Sequence, residues 1–518
     1  MEATHRVKDK DNNTLGFMID GRFIASSLIK DNAPNIENLI LQKNGAIRAK
    51  RALPELYYKD AVIKAVYRDL VQENPFERNI QSELEHWRNT RYRQVLQLGG
   101  TRQVGKTTEL LKFAYKNYEY VIYVNLADDR FRFAALSDSA DMWLDMQNYC
   151  DRAYLPQYRD DRNTILILDE IQTSKKVYNS IRAMRSALKC DIAVTGSYLG
   201  IVFHTEGYFL PAGTITYIDM TAMNFEEFAR AFGEAELLGN IDLYGAASQQ
   251  HYRKLENLYR IYRQIGGYPE VVRTYVQTES IEECHTTIGN LLRTFKEESR
   301  NYFGQPRDVE IFESVYTSAL KEMCREKRGT GRDQLEIIRN LADNDTNLMI
   351  NRDEVANAIT WLIYTGMIAT CDLAVNGDIK NISKDRRLYF SDCGILAYLT
   401  NRTLVDSNSL EGLLTETFVF NELRYLFGQK SVGNRVTGDN VCFSTCGAYE
   451  LDFMLASSDR TVYGIEAKTT KGNPLSLRVF IDKHYIDRGI VVKPTAGGHG
   501  DKFDTIPIYA VGCRFPYE

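Results

Sequence analysis

The sequence predicts an α/β chain: a parallel sheet covered on both faces, then a mostly helical stretch, then a second α/β segment. Three observations predict it. Four short apolar runs, Val95-Leu96-Gln97-Leu98, Tyr120 to Leu126, Thr164 to Leu168 and Ile192 to Thr195, are separated by stretches of helical periodicity. Continuous apolar strands of this kind belong to parallel sheets buried on both sides. From about Asn224 to Ile382 apolar residues recur mainly at helical spacing. Beyond that, a helical pattern from Leu413 to Leu426 precedes the strand-like runs Leu451 to Leu455 and Val462 to Ala467.

The chain has 518 residues, too many for one ordinary core, so roughly two to four domains are expected. Hydrophobic residues make up 44% and charged residues 26%, which excludes a wholly disordered or collagen-like chain. Lys and Arg number 64 against 69 Asp and Glu, for a net charge of −5. That balance excludes coating nucleic acid through bulk positive charge but leaves room for a local basic groove. The first ten residues, Met1 to Lys10, are polar and hold no signal-peptide core, and no apolar run is long enough to cross a bilayer. A cytoplasmic protein without membrane contact is expected. Nine cysteines are scattered, and only Cys442 and Cys446 are near neighbours, without a nearby His. A disulfide scaffold and a zinc cluster are therefore not expected; reduced, buried thiols are.

In order along the chain, residues up to about Arg51 read as an irregular extension, with Lys43 to Arg51 a solvated basic connector. Val62, Ile63, Val66, Leu70 and Val71 have helical spacing within Leu56 to Trp87. The first strand is followed by a Gly-rich turn and a helix through Leu110, Leu111 and Phe113. Further helices are expected over Phe225 to Phe228, Tyr252 to Arg263, Ile281 to Glu297 and Val309 to Arg325. Leu335 to Ile338, Arg352 to Tyr364, Ile368 and Arg386 to Tyr389 fit a winged helix. Arg352 to Tyr364 offers few cations, and Trp361, Leu362 and Ile363 read as core contacts, so packing is favoured over insertion in a DNA groove.

Gly100-Thr101-Arg102-Gln103-Val104-Gly105-Lys106-Thr107 fits the P-loop pattern without mismatch, directly after a buried strand and before a helix. Such a loop turns its N–H groups toward a phosphate, and the helix N-terminus adds partial positive charge. Lys106 is expected to reach the β- and γ-phosphates of ATP and Thr107 to ligate Mg²⁺, with Thr108 completing the cradle. The strand Ile165 to Leu168 ends in Asp169-Glu170. Asp169 is a candidate Mg²⁺ ligand, direct or through water, and Glu170 a candidate base for the attacking water. The next strand ends in Thr195-Gly196-Ser197, which places Ser197 where a γ-phosphate contact is expected.

The segments Gly99 to Thr108, Leu168-Asp169-Glu170-Ile171-Gln172 and Thr195-Gly196-Ser197 together resemble the AAA+-type ATPases of the archaeal-ATPase-like superfamily. The resemblance continues through Pro211-Ala212-Gly213, Phe225-Glu226-Glu227-Phe228, Gly266-Gly267-Tyr268-Pro269-Glu270 and Leu388 to Leu396. It covers about residues 56–515. It implies an extension over 1–55, a P-loop ATPase core over 56–222, a helical lid over 223–305, a winged-helix-like segment over 306–382 and a C-terminal domain over 383–518. The family usually has an Arg, a γ-phosphate or finger residue, after Pro211-Ala212-Gly213; this chain has Thr214.

Glu450-Leu451-Asp452-Phe453 and Gly464-Ile465-Glu466-Ala467-Lys468, with Glu416 on a preceding helix, resemble the PD-(D/E)XK nuclease core without its Pro. The resemblance implies a divalent cation between Asp452 and Glu466, Lys468 beside the attacking water, and Glu416 completing the set. Glu466-x-Lys468 is equally the pattern of a solvent-facing strand pair. The sequence thus leads to an ATPase whose nucleotide state controls a nuclease-like domain acting on DNA. The alternative is an ATP-dependent regulatory or scaffolding switch that binds a protein partner and cuts nothing. A transcription regulator would rest on the winged helix alone, and a homo-oligomer is compatible with either of the first two readings.

Overall fold

In the computed structural model, residues 3–8, 14–19, 22–25, 71–72, 74–90, 94–128, 132–138, 141–152, 159–197, 199, 208–209, 213–240, 249–303, 306–323, 338–340, 342, 350–401, 407–427, 441–457, 459–468, 474–494 and 497–512 are described. The N-terminal stretch expected to be irregular instead holds an antiparallel meander, β1 (Ala3–Lys8), β2 (Thr14–Ile19) and β3 (Arg22–Ala25). Leu15, Phe17 and Ile19 alternate along β2, and Asp20-Gly21, a favoured hairpin dipeptide, stands between β2 and β3. The basic run 43–51 and the helical pattern of 56–70 lie outside the described residues.

The chain divides into two compact units, in the main Met1–Gly100 with Gly105–Met220, and Thr221–Lys430 with Asn434–Glu518. The first contains α1 (Ile80–Asn89), β4 (Val95–Gly100), α2 (Lys106–Asn117), β5 (Tyr120–Asn125) and α3 (Met142–Arg152). It continues through β6 (Thr164–Asp169), α4 (Lys175–Ala187), β7 (Asp191–Thr195) and β8 (Ile215–Met220). The sheet order is β5-β6-β7-β4-β8, with every neighbour parallel. β6 and β7 are buried along their whole length, as their unbroken apolar runs require. β8 was not among the expected strands. It is an edge strand with partly exposed positions, so it lacks the continuous apolar run that marks the others.

Val95, Ile122, Leu166, Leu168, Ile181 and Val194 belong to one buried cluster in this unit. Each such side chain contributes about 1.5–3 kcal/mol relative to exposure. The chain leaves β4 for the far edge at β5, returns strand by strand to β7, then crosses beyond β4 to β8. Ligands of open α/β sheets bind at the carboxyl ends of strands where the order reverses in this way. That places the tips of β4, β6 and β7 around one crevice.

The second unit begins with α5 (Phe225–Ala231), α6 (Ala235–Gly239), α7 (Gln249–Ile265), α8 (Pro269–Thr278), α9 (Ile281–Phe303), α10 (Pro306–Met323) and α11 (Arg352–Tyr364). Then follow β9 (Ile368–Val375), β10 (Ile382–Phe390), α12 (Cys393–Thr400) and α13 (Ser407–Phe427). Next come β11 (Val441–Cys446), β12 (Tyr449–Ala456), β13 (Val462–Ala467), α14 (Leu475–Asp482), β14 (Arg488–Lys493) and β15 (Phe503–Pro507). Its seven-stranded sheet runs β10-β9-β11-β12-β13-β14-β15. The expected boundary between 382 and 383 falls inside β10. The β9–β10 hairpin pairs antiparallel with itself and parallel with β11, so the wing-like hairpin and the C-terminal strands share one sheet. Trp361 and Leu362 are buried, and Trp361 meets Phe312 of α10 edge-on at 4.8 Å. Of the three expected core contacts of α11, Trp361 and Leu362 are buried and Ile363 is partly so.

Motifs far apart in sequence meet inside this unit. Asn224 and Glu227 form a capping box at the start of α5. Glu422 of α13 accepts the Phe225 N–H at 2.9 Å on the same helix end. Asp392 accepts the Gly267 N–H at 2.8 Å and the Ile395 N–H at 3.0 Å. Gly266, at φ +71°, has no room for a Cβ because the Asp392 carboxylate occupies that space. Phe225, Tyr259, Tyr262 and Phe418 pack edge-on around the junction. Among the described residues no helix is long and apolar enough to cross a membrane. Seven of the cysteines are described as buried and in no disulfide.

Burial raises Glu422 to about 8 and Asp392 to about 6. Backbone N–H donors pull both back, while Glu227 and Glu226 of α5 push Glu422 further up. A carboxyl with a raised folded pKa binds protons more tightly folded than unfolded. Stability therefore falls as pH rises from about 4, the unfolded carboxyl value, through the raised values, and levels off above them. Glu422→Gln should flatten thermal stability between pH 5 and pH 8 by about 1 kcal/mol for each pH unit. A variant with the wild-type pH slope would rule Glu422 out as its source.

Candidate functional site

The crevice is built from three strand tips. After β4 the chain turns at Gly100 (φ 122°), Gln103 (φ 58°) and Gly105 (φ 97°), the last capping α2. These left-handed positions let the loop curl, and only glycine adopts them without strain. Gly100 is also fixed by its neighbour. A Cβ there would overlap the carbonyl oxygen of Met220, its partner on β8. Lys106 opens α2 with its side chain folded back, Nζ donating to the Gly100 carbonyl at 2.9 Å. The ammonium is thus held at the loop's own mouth.

Thr107 of α2 and Asp169 at the tip of β6 come together as expected, the Thr107 hydroxyl donating to Asp169 Oδ2 at 3.0 Å. The Tyr123 hydroxyl of β5 donates to the same oxygen at 2.7 Å, and the Glu170 N–H to Oδ1 at 2.8 Å. Burial raises the pKa of Asp169, while these donors and the Thr107 hydroxyl hold it down. Burial and the Asp169 charge push the Tyr123 phenol far up, so it remains a donor at neutral pH. Sequence reading missed Tyr123. Its signal was faint: a polar-tipped aromatic two residues before Asn125, the β5 end that pairs with Asp169.

Glu170 has a left-handed backbone, φ 52°, which costs a non-glycine residue about 1 kcal/mol or more. The turn that follows is held firmly. The Glu170 carbonyl accepts the Thr173 N–H at 2.9 Å and the Thr173 hydroxyl at 2.8 Å. The Gln172 side-chain amide donates to Glu170 Oε2, and the Gln172 carbonyl accepts the Tyr208 hydroxyl at 2.7 Å. At the tip of β7, the Thr195 hydroxyl is committed to the Leu98 carbonyl at 3.0 Å, while Ser197 is buried beyond it. Thr214 precedes β8 at the opposite sheet end, its carbonyl accepting the Val95 N–H at 2.8 Å. It stands roughly 16 Å along the strand from the loop, too far for any residue there to serve this chain's own loop. Pro211 and Ala212 lie outside the described residues.

The C-terminal candidates are placed differently. Asp452 of β12 and Glu466 of β13 are both buried, on strands paired antiparallel. Asp452 Oδ2 accepts the Ala467 N–H at 2.9 Å, and Lys468 pairs with Glu466 at 2.7 Å. The charge of Glu416 on α13 acts on Arg387 of β10, whose guanidinium pairs with Glu450 and stacks 4.0 Å from the Phe443 ring centre. Among the described residues no group of three or more His, Cys, Asp or Glu side chains is gathered to hold a metal ion. Arg387 and Glu450 stood in the quoted segments without a role of their own, because β10 and β12 become neighbours of one cluster only through the continuous sheet.

Residues 92–229 match the family described as AAA domain. An AAA-type P-loop domain occupies this segment. Residues 256–406 match a family described as a domain of unknown function (DUF8612). No curated protein matches the chain. Among solved structures, the Walker-type ATPase PABY2304 of Pyrococcus abyssi is similar at 17% identity, over 64% of this chain and 97% of that chain, with a TM-score of 0.40. The Aeropyrum pernix ORC1 protein in complex with DNA is similar at 14% identity, over 65% and 91%, with a TM-score of 0.28. The Aeropyrum pernix ORC2 protein in its ADPNP–ADP complexes is similar at 11% identity, over 68% and 94%, with a TM-score of 0.35.

Gly100→Ala tests the close approach of β4 and β8. It should lower stability by roughly 1–3 kcal/mol, the usual range for overpacking and backbone strain, read as an earlier thermal or urea transition. An unchanged transition would mean that β8 does not press on the loop.

Proposed function

We propose that the P-loop domain binds and hydrolyses ATP with Mg²⁺. The observation that carries this reading is the 3.0 Å contact between Thr107 and Asp169, with Glu170 next in sequence at the same strand tip. Two hard oxygens from different elements, one of them a buried carboxylate, fit a divalent cation beside a phosphate. Bound Mg²⁺ would neutralise charge on the β- and γ-phosphate oxygens.

The chain's own residues supply the rest. The N–H groups of residues 100–108 and the N-terminus of α2 cradle the phosphates. Lys106, released from the Gly100 carbonyl, contacts the β- and γ-phosphates. Glu170 takes the proton of the attacking water. Ser197, at the tip of β7, donates to the γ-phosphate.

For the rest of the chain, the geometry favours the regulatory or scaffolding switch over the nuclease. Among the described residues no group of three or more His, Cys, Asp or Glu side chains is gathered for a metal ion, Lys468 pairs with Glu466, and Asp452 accepts a backbone N–H. In this reading the buried acids hold β12 and β13 together, and the nucleotide state acts through a protein partner.

One experiment separates these readings: purified protein with ATP, Mg²⁺ or Mn²⁺ and plasmid DNA, read for nucleotide affinity, phosphate release and nicking. Lys106→Ala should lose nucleotide binding. Glu170→Gln should keep ATP bound while turnover falls by roughly two to four decades. Wild-type turnover in either soluble variant would overturn the ATPase assignment. Metal-dependent nicking lost in Asp452→Asn would restore the nuclease reading.

A further inference from the structure

Gln172 is half-buried, its side chain lying between two residues of the β6 and β7 tips. Its side-chain nitrogen donates to Glu170 Oε2; a carboxylate can only accept, which fixes the orientation of the amide. Its oxygen lies where a side chain on Gly196 would be: a Cβ built there would overlap Gln172 Oε1 and lie 3.2 Å from Cδ. That oxygen is buried and accepts no hydrogen bond among the described residues. A buried acceptor left unpaired is destabilising by roughly 1–3 kcal/mol, so packing alone would favour an apolar residue at 172. The main chain of Gln172 is itself anchored by Tyr208, and Tyr208 packs edge-on against Tyr178 of α4 at 5.6 Å. The amide therefore has a fixed base and one polar commitment, to Glu170.

Building on the hydrolysis reading, we infer that Gln172 is a positioning residue for Glu170, and that Gly196 is glycine to leave room for it. The amide engages one carboxylate oxygen and turns the other toward the crevice, where the attacking water must lose its proton. Glu170 sits on a left-handed backbone just past the strand, so its side chain is not aimed by the regular pleat of β6. A tether from two residues downstream supplies that aim. The glycine of Thr195-Gly196-Ser197 and the glutamine of Asp169-Glu170-Ile171-Gln172 are then two halves of one device.

A double-mutant cycle tests this. The variants are Gln172→Ala, Gly196→Ala, the pair together, Glu170→Gln, and Gln172→Ala combined with Glu170→Gln. Each is assayed for kcat and KM with Mg-ATP and for equilibrium affinity toward a fluorescent ATP analogue. Gln172→Ala should lower kcat about tenfold, the cost of a modestly misplaced base, with nucleotide affinity unchanged. Gly196→Ala should match it, and the pair should be no slower than Gln172→Ala alone. Adding Gln172→Ala to Glu170→Gln should cost nothing further.

The inference is overturned if Gln172→Ala keeps the wild-type kcat. It is equally overturned if Gln172→Ala slows Glu170→Gln by the same factor as wild type, or if Gly196→Ala is as damaging without the Gln172 side chain as with it. Should Gly196→Ala fail to fold, the Gln172→Ala and Glu170→Gln arms decide alone. Wild-type turnover in Glu170→Gln by itself would instead sink the hydrolytic role of Glu170, a distinguishable failure.

Discussion

One carboxylate organises the P-loop domain. Asp169 is buried at the tip of a fully buried strand, where an isolated charge would be costly. It is tolerated because three donors converge on it, the hydroxyls of Thr107 and Tyr123 and the Glu170 N–H. Each comes from a different place in the fold: the first turn of α2, the strand β5, and the turn leaving β6. Sheet order makes that convergence possible, since β5 and β6 are neighbours and the loop after β4 opens at the same end. Remove the carboxylate and the three elements lose their common point.

Much of this was legible in the sequence for physical reasons. Strands buried on both faces need unbroken apolar runs, so β4 to β7 stood out, and a glycine-rich loop between strand and helix has few other uses. Asp169 and Glu170 were legible because charges rarely end such a strand without cause. The edge strand β8 was not, because it is only half covered. Tyr123 was not, because its role appears only when β5 pairs with β6. The meander β1 to β3 was legible in principle from Asp20-Gly21 between apolar runs, but the polar start, Met1 to Lys10, and weak periodicity drew the weaker reading.

The second unit shows the opposite balance. Its motifs were visible but their purpose was not. Phe225 to Phe228, Gly266-Gly267 and Ser391 to Gly394 are far apart in sequence, yet Asp392 and Glu422 tie them together through backbone N–H groups. The acids near the C-terminus were read as a set because they share a spacing with a known nuclease core. In the structure Lys468 pairs with Glu466, Asp452 accepts a backbone N–H, and the Glu416 charge acts on Arg387. Spacing along strands gives candidates; only the fold shows which side chains each of them meets.

The central claim is that Thr107 and Asp169 together form the cation side of a nucleotide site. The most direct measurement is the affinity of ATP with Mg²⁺ and with a chelator, for wild type, Thr107→Val and Asp169→Asn. Wild type should bind more tightly once Mg²⁺ is added. Both variants should keep the affinity seen in chelator and lose the gain from Mg²⁺. Either variant showing the full wild-type response to Mg²⁺ would contradict the account.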